Sequence, residues 1–121
     1  MIVLDTNVLI EILKGNEETI KKVESLTDTL CISSITVMEL YYGALNKVEL
    51  NKLEKFVSLF HIIQLNENIS KASTKLIKHY AKSHGLDIPD SLIASTVMDN
   101  DAVLLTYNLK DFKYIEGMKL L

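Results

Sequence analysis

The sequence contains few residues of the kinds that crosslink or anchor small proteins. Among its 121 residues there is one cysteine, and tryptophan is absent. The single cysteine, Cys31, cannot form an internal disulfide, and no cysteine–histidine spacing indicates a zinc site. It lies in an apolar run, so we expect a buried, unreactive thiol.

Long apolar runs are also missing. No stretch approaches the length of a membrane-spanning helix, and no basic segment followed by a long apolar one opens the chain. We therefore expect a cytoplasmic protein that makes no membrane contact. A single domain spanning residues 1–121 is large enough for a sizeable hydrophobic core.

The chain has no excess of positive charge. Its 13 lysines, with no arginine, are outnumbered by 16 aspartates and glutamates, which gives a net charge of −3. The overall charge therefore gives no sign of nucleic-acid binding. It does not exclude a metal-dependent nuclease, because such an enzyme concentrates carboxylates at its site and lets the cation meet the phosphate.

The chain does contain a regular alternation of short apolar runs and helical patterns. The apolar runs predict strands at residues 1–4, 30–33, 61–65 and 102–105, and amphipathic or apolar helices separate them. This alternation indicates an α/β fold with a parallel sheet and right-handed crossovers. Residues 120–121 are a candidate for a short edge strand.

Asp5 is the only charged residue among the first ten, and it directly follows the first apolar run. It would lie at the carboxyl end of a buried strand, which is where ligands bind in open α/β sheets. A carboxylate there needs a hydrogen bond, an ion pair or a metal. The alternative interpretation is an ordinary helix cap, since aspartate is a good one.

Two further carboxylates stand nearly alone in apolar surroundings. Glu39 is the only charged residue between Leu30 and Asn46, on a helix predicted over residues 34–45 that has almost no polar face. We expect that helix to be largely buried, with Tyr42 mostly in the core. Glu39 then needs a metal, a shifted pKa or an ion pair with a lysine.

Asp90 follows Pro89, which suits the first position of a new helix, and the residues from 91 to 98 are apolar or small. The helix dipole alone would favour a carboxylate there. However, strand ends and the starts of the following helices share one rim of a parallel sheet. Asp5, Glu39, Asp90 and the segment 106–111 could therefore converge, and clustered carboxylates favour Mg²⁺ or Mn²⁺.

In this arrangement the chain resembles the PIN-domain family, especially the VapC-type toxins of toxin–antitoxin modules. The motifs that carry the resemblance are Asp5-Thr6-Asn7, Thr36-Val37-Met38-Glu39-Leu40, Asp90-Ser91-Leu92-Ile93-Ala94 and Leu105-Thr106-Tyr107-Asn108-Leu109-Lys110-Asp111-Phe112. They come in the family's order and cover almost the whole chain. The resemblance implies a three-layer α/β/α fold with a mostly parallel sheet in the strand order 3-2-1-4-5.

The resemblance also assigns expected roles. Asp5, Glu39 and Asp90 match the family's acidic metal ligands, and Asp111 is favoured over Asn108 as the fourth acid. The polar residues expected to support the site are Thr6, Asn7 and Thr106, with Asn108 able to orient a water or a ligand. The implied activity is that of a Mg²⁺- or Mn²⁺-dependent endoribonuclease. The implied partners are RNA, a VapB-like antitoxin and a second copy of the chain.

The longest predicted helix, residues 66–83, carries a basic stripe. Four lysines recur at spacings of four, three and four residues, so they share one face: Lys71, Lys75, Lys78 and Lys82. This stripe is either a solvated helix face or a surface that follows the phosphates of RNA.

Three rival interpretations remain at this point. A phosphatase of the haloacid-dehalogenase type would need a second aspartate where the chain has Asn7. A non-catalytic PIN-like module that binds RNA or protein is favoured if Asn108 replaces the fourth acid. An inert scaffold would use all the acids as caps and ion pairs, in which case neutralising Asp5 would cost about 1 kcal/mol.

Overall fold

The computed structural model describes all 121 residues and has four strands and six α-helices. The strands are β1 (Ile2–Leu4), β2 (Leu30–Ser33), β3 (His61–Ile63) and β4 (Val103–Leu105). The helices are α1 (Thr6–Leu13), α2 (Glu17–Glu24), α3 (Ser34–Tyr42), α4 (Lys47–Val57), α5 (Glu67–His84) and α6 (Ile88–Asp99). No helix is both long and apolar enough to cross a membrane.

The strands form one parallel sheet in the order β3-β2-β1-β4. Successive side chains of a strand point to opposite faces, and both faces are covered. On one face Val3, Cys31 and Leu104 pack with residues of α6. On the other face Leu4 and Ile32 pack against residues of α1 to α4, so the α/β prediction is confirmed.

The predicted fifth strand does not form. The segment after Gly117 meets β4 at a single parallel bridge between Leu104 and Leu120. In β4 the Val103 amide and the Leu105 carbonyl bond toward β1, at the Met1 carbonyl and the Asp5 amide. Only Leu104 directs its amide and carbonyl to the outer edge of the sheet. A fifth strand could therefore hydrogen-bond to only one residue of β4.

Helix α3 differs from its prediction in length and in burial. It ends at Tyr42, three residues earlier than predicted, with Gly43 as its C-cap. Tyr42 is 94% exposed, and Leu45 in the following turn is 85% exposed. The prediction of a largely buried helix was therefore wrong, because an apolar pattern does not show which side of a helix the sheet covers.

The helix that carries Asp90 begins earlier than predicted. It starts at Ile88 rather than Pro89, because the Asp87 carboxylate caps the helix by accepting the Asp90 amide at 2.8 Å. Pro89 still lies in the first turn, where its missing N–H costs nothing. Asp90, in the first turn of α6, lies near enough to Asp5 at the end of β1 for the charge of Asp5 to act on it.

Candidate active site

Asp5 lies at the end of β1 and serves as the N-cap of α1. Its side chain is buried and accepts hydrogen bonds from the Thr6 amide at 2.8 Å and from the Thr106 hydroxyl at 2.7 Å. Burial raises the pKa of this carboxyl, while these two bonds lower it and the charges of Asp111 and Asp87 raise it further. Asp5 is therefore a cap, as the alternative interpretation predicted, but one in an acidic environment.

The loop after β4 is tied to Asp5 through Asn7. The Asn7 amide group lies 3.3 Å from the Asp5 carboxylate and 3.4 Å from the Thr106 hydroxyl, and donates to both. Its carbonyl oxygen accepts the Tyr107 amide at 3.2 Å. The Thr106 hydroxyl accepts the Asn108 amide at 3.0 Å. The polar residues predicted to support the site therefore form one hydrogen-bonded network.

Glu39 reaches the same network from α3. The Thr6 hydroxyl donates to the Glu39 carboxylate at 2.8 Å and also lies 2.9 Å from the hydroxyl of Thr36. Glu39 is exposed and makes no ion pair, so the interpretation as a buried acid paired with a lysine was wrong. Its position one turn after Thr36 aims its carboxylate at the start of α1.

Asp90 is the most strongly perturbed acid. It lies in the first turn of α6, partly buried, and its pKa is raised from 3.8 to about 7. Burial is the largest cause, followed by the negative charges of Asp87, Asp5, Asp111 and Glu39. Asp5, Asp111 and Glu39 therefore lie near enough to Asp90 for their charges to act on its carboxyl.

The loop after β4 also positions the two candidates for the fourth acid. Asp111 ends a short 3₁₀-helix, Leu109–Asp111, and its charge acts on both Asp5 and Asp90. Asn108 precedes that helix, but its side chain makes no capping hydrogen bond. Asp111 thus contributes negative charge to the cluster, while the amide of Asn108 stays free for another contact.

The donor chemistry of this acidic cluster (Asp5, Glu39, Asp90 and Asp111) fits a hard divalent cation. All four side chains offer carboxylate oxygens, and none of the four acids takes part in an ion pair. No three His, Cys, Asp or Glu side chains are arranged to hold one metal ion. The chemistry of these donors suits Mg²⁺, which is usually bound through a few carboxylates and keeps several waters.

The four lysines of the basic stripe are all exposed on α5, and Lys71 pairs with Glu67 at 3.1 Å. At the C-terminal end of α5, the ring of His84 stacks on Tyr114 with centroids 4.3 Å apart. The charges of Asp90 and Asp111 raise the pKa of Tyr114, after burial, which is the larger cause. The end of the stripe near Lys82 therefore lies toward the acidic cluster.

Sequence reasoning missed three residues that the structure brings to the cluster. Asp87 was not among the expected site residues, yet its charge raises the pKa of Asp90 more than that of any other acid. Thr36 shares the Thr6 hydroxyl with Glu39, and Tyr114 lies within the field of the acids. Asp87 could have been found, since an aspartate two residues before Pro89 is a cap signal for the helix of Asp90.

Comparison with known proteins identifies the family. A PIN-domain model matches residues 2–117. The chain belongs to the PIN-domain family. It is also 31% identical to the tRNA(fMet)-specific endonuclease VapC of Salmonella typhimurium, covering 97% of this chain and 93% of that one. Ribonuclease VapC19 of Mycobacterium tuberculosis is likewise 31% identical, over 93% of this chain and 92% of its own length.

Solved structures place the chain in the same branch of the PIN family. VapBC2 from Rickettsia felis, bound to a promoter DNA fragment, gives a TM-score of 0.85 at 30% identity, covering 100% of this chain and 98% of that one. A toxin–antitoxin complex from Klebsiella pneumoniae gives 0.84 at 30% identity, covering 100% and 96%. The chain is therefore a PIN-domain protein of the VapC ribonuclease type, as its motifs predicted.

Proposed function

We propose that the chain is a Mg²⁺- or Mn²⁺-dependent endoribonuclease that acts as the toxin of a VapBC-type module. The observation that carries the proposal is the convergence of four carboxylates without a lysine or arginine to neutralise them. Such a cluster is unfavourable by itself and becomes favourable when a cation binds. RNA is the substrate class, and tRNA is the first to test because a relative is named as a tRNA(fMet)-specific endonuclease.

Each residue of the site has a role in this mechanism. Asp5, Asp90 and Glu39 would hold the cation, directly or through water. A bound cation would supply a Lewis acid, able to polarise a phosphodiester and to lower the pKa of a water molecule. Asp111 adds negative charge at the cluster, and the side-chain amide of Asn108 remains free to contact the bound RNA.

The supporting residues fix the carboxylates before RNA arrives. Hydrogen bonds from Thr106 and Asn7 hold the Asp5 carboxylate, and the Thr6 hydroxyl holds Glu39. This orientation matters for the reaction, because replacing the partners of metal ligands commonly changes activity about 10- to 100-fold. The exposed lysines of the basic stripe would then bind RNA phosphates on the way to the cluster.

The proposed partners are a VapB-like antitoxin and a second copy of the chain, in the cytoplasm. Two observations support protein partners. The similar structures named above include a VapBC assembly and a toxin–antitoxin complex. Helix α3 and the segment after it expose three large hydrophobic side chains, Met38, Tyr42 and Leu45, which a protein partner could cover. Light scattering of wild type and Tyr42→Lys would test the dimer, which the lysine should disrupt if this face is buried in it.

Cleavage of a mixed RNA pool that includes tRNA tests the activity. The purified chain, free of antitoxin, is assayed in EDTA, Mg²⁺ and Mn²⁺ beside an Asp5→Asn, Asp90→Asn double variant. Glu17→Gln, an exposed acid in the first turn of α2, serves as the control. Metal-dependent cleavage that only the double variant loses supports the proposal. A folded wild type that binds RNA without cutting it would instead favour the non-catalytic binding module.

A further inference from the structure

A cavity opens beside the acidic cluster, between α1, α2 and the loop after β4. Its volume is about 560 Å³, within the usual range for small-ligand pockets. Eight residues line it: Asn7, Glu11, Asn16, Glu18, Thr19, Lys22, Tyr107 and Asn108. Two of them, Asn7 and Asn108, also belong to the network around Asp5, so the cavity and the acidic cluster share one wall.

Tyr107 is the only aromatic residue in the cavity, and it is held at both ends. Its hydroxyl lies 2.6 Å from the hydroxyl of the buried Thr19, and its amide donates to the Asn7 carbonyl oxygen at 3.2 Å. The residue nevertheless remains 47% exposed. A ring that is fixed in place and open to the cavity is suited to stacking with another planar group.

The rest of the lining offers hydrogen-bonding groups of both kinds. Lys22 and Glu18 are exposed, and neither takes part in an ion pair. Asn108 brings an amide whose side chain makes no capping bond. Donors from Lys22 and Asn108 therefore stand beside acceptors from Glu18 and Asn108, a mixture that matches the edge of a nucleobase.

We propose that this cavity binds one unpaired nucleobase of the RNA, next to the phosphodiester that is cut. The base stacks on Tyr107 while its edge bonds to Asn108, Glu18 and Lys22. Because Glu18 brings a carboxylate that makes no ion pair, and such a group accepts from amino groups and repels carbonyl groups, bases with an exocyclic amino group are preferred to uracil. The proposal rests on the endoribonuclease function and adds a substrate subsite to it.

A protein side chain is the less favourable occupant. Seven of the eight lining residues are polar or charged, so an apolar anchor of a partner protein would leave their hydrogen bonds unmade. The cavity also adjoins the network around Asp5 through Asn7 and Asn108, so its occupant would be a nucleotide next to the one at the acidic cluster. Stacking plus edge contacts is the usual way that proteins hold unpaired RNA bases.

The test combines protein variants with abasic substitutions in a short unpaired RNA that the wild type cuts at one site. Each nucleotide near that site is replaced in turn by an abasic residue, and KM and kcat are measured for wild type and Tyr107→Leu. One abasic position should raise KM by about 5- to 150-fold, the range for loss of one stacked base. Tyr107→Leu should raise KM similarly for intact RNA and add little at that position, because both changes remove the same stacking interaction.

Two matched pairs of variants separate this contact from general damage. Tyr107→Phe keeps the ring and loses only the bond to Thr19, so its KM should lie between those of wild type and Tyr107→Leu. Lys22→Met should raise KM, whereas Lys21→Met, at an exposed neighbour outside the cavity, should not. Anisotropy of labelled RNA bound in EDTA to an Asp90→Asn background gives the same comparison without cleavage.

The outcomes distinguish failure of the subsite from failure of the enzyme. No cleavage by a folded wild type under any metal contradicts the ribonuclease function itself. Two results with a normally active wild type overturn the nucleobase subsite alone. In the first, no abasic position raises KM. In the second, the effects of Tyr107→Leu and of every abasic position on KM are fully additive in free energy. Tyr107→Leu that leaves KM and RNA binding unchanged overturns it too, and would assign the cavity to a protein partner.

Discussion

Replacing Asp90 by asparagine should stabilise the metal-free protein. Asp90 stands among the negative charges of Asp87, Asp5, Asp111 and Glu39, and burial together with these charges raises its pKa from 3.8 to about 7. Ionising it in the folded state is therefore costly, and asparagine removes the charge while keeping the size of the side chain. This is opposite to the usual effect of removing a first-turn acid, which the helix dipole stabilises.

The size and the sign follow from proton linkage. A pKa of about 7 in place of 3.8 corresponds to about 4 kcal/mol of folding free energy without screening. Asp90 is only partly buried, so solvent screens the charges of its neighbours. We therefore expect the substitution to gain about 2 kcal/mol of folding free energy. Below pH 3.8 the carboxyl is protonated in both states and the gain is absent. The gain grows as the pH rises and is complete above about pH 7.

Urea denaturation in EDTA at pH values from about 4 to about 8 measures this gain. At about pH 8 the midpoint of Asp90→Asn should lie about 1 M urea above that of wild type, with no difference near pH 4. Glu17→Gln, at the exposed first turn of α2, is the control and should lose a few tenths of a kcal/mol. Added Mg²⁺ should stabilise wild type more than Asp90→Asn. An Asp90→Asn protein that is less stable than wild type at the upper end of this pH range, or equally shifted at every pH, would refute the clustered-charge argument.

Three further changes test the other parts of the site. Thr6→Val removes the hydroxyl that holds Glu39, so metal-dependent cleavage should fall about 10- to 100-fold, measured as kcat. Asp111→Asn should weaken Mg²⁺ activation in a metal titration, because the variant has one fewer charge to attract the cation. Lys78→Met with Lys82→Met should weaken RNA binding and reduce the slope of log K against log salt by about 0.7 for each phosphate that a lysine no longer neutralises.

Each of these changes has a control elsewhere on the surface. Thr74→Val on α5 removes an exposed threonine hydroxyl that bonds only to its own helix, and should leave kcat unchanged. Glu116→Gln removes an exposed acid that does not act on the pKa of Asp90. Lys52→Met with Lys55→Met removes two exposed lysines of α4. If replacing Lys52 and Lys55 changes the salt slope as much as replacing Lys78 and Lys82, the stripe contributes only general surface charge.

The parts of the site that the sequence predicted are those set by local chemistry. Asp5-Thr6-Asn7 follows an unbroken apolar run, so a strand end and a helix start had to meet there, and the structure places them so. Thr106 follows another apolar run in the same sheet, and parallel pairing of β1 with β4 brings its hydroxyl to Asp5. Apolar runs and the direction of parallel strands were enough for this inference.

The parts that were not predicted depend on what covers a surface. An apolar helix such as α3 can face the core or a partner, and only the packed structure shows that Met38 and Tyr42 face outward. The predicted edge strand at residues 120–121 does not form, for a related reason. Pairing beside β4 depends on which way each backbone group points, and in a strand of three residues only Leu104 points outward. Neither property is encoded in the local pattern of apolar residues.

Burial is the largest cause of the raised pKa of Asp90, and the start of α6 explains why hydrogen bonds do not offset it there as they do at Asp5. A helix N-terminus normally stabilises a nearby carboxylate through its free amides and its dipole. Here the Asp87 carboxylate accepts the Asp90 amide and brings a second negative charge to the same turn. Asp5, by contrast, has the Thr6 amide and the Thr106 hydroxyl for its own carboxylate. The cap that begins the helix therefore leaves Asp90 short of positive charge, which is the condition under which a divalent cation binds most favourably.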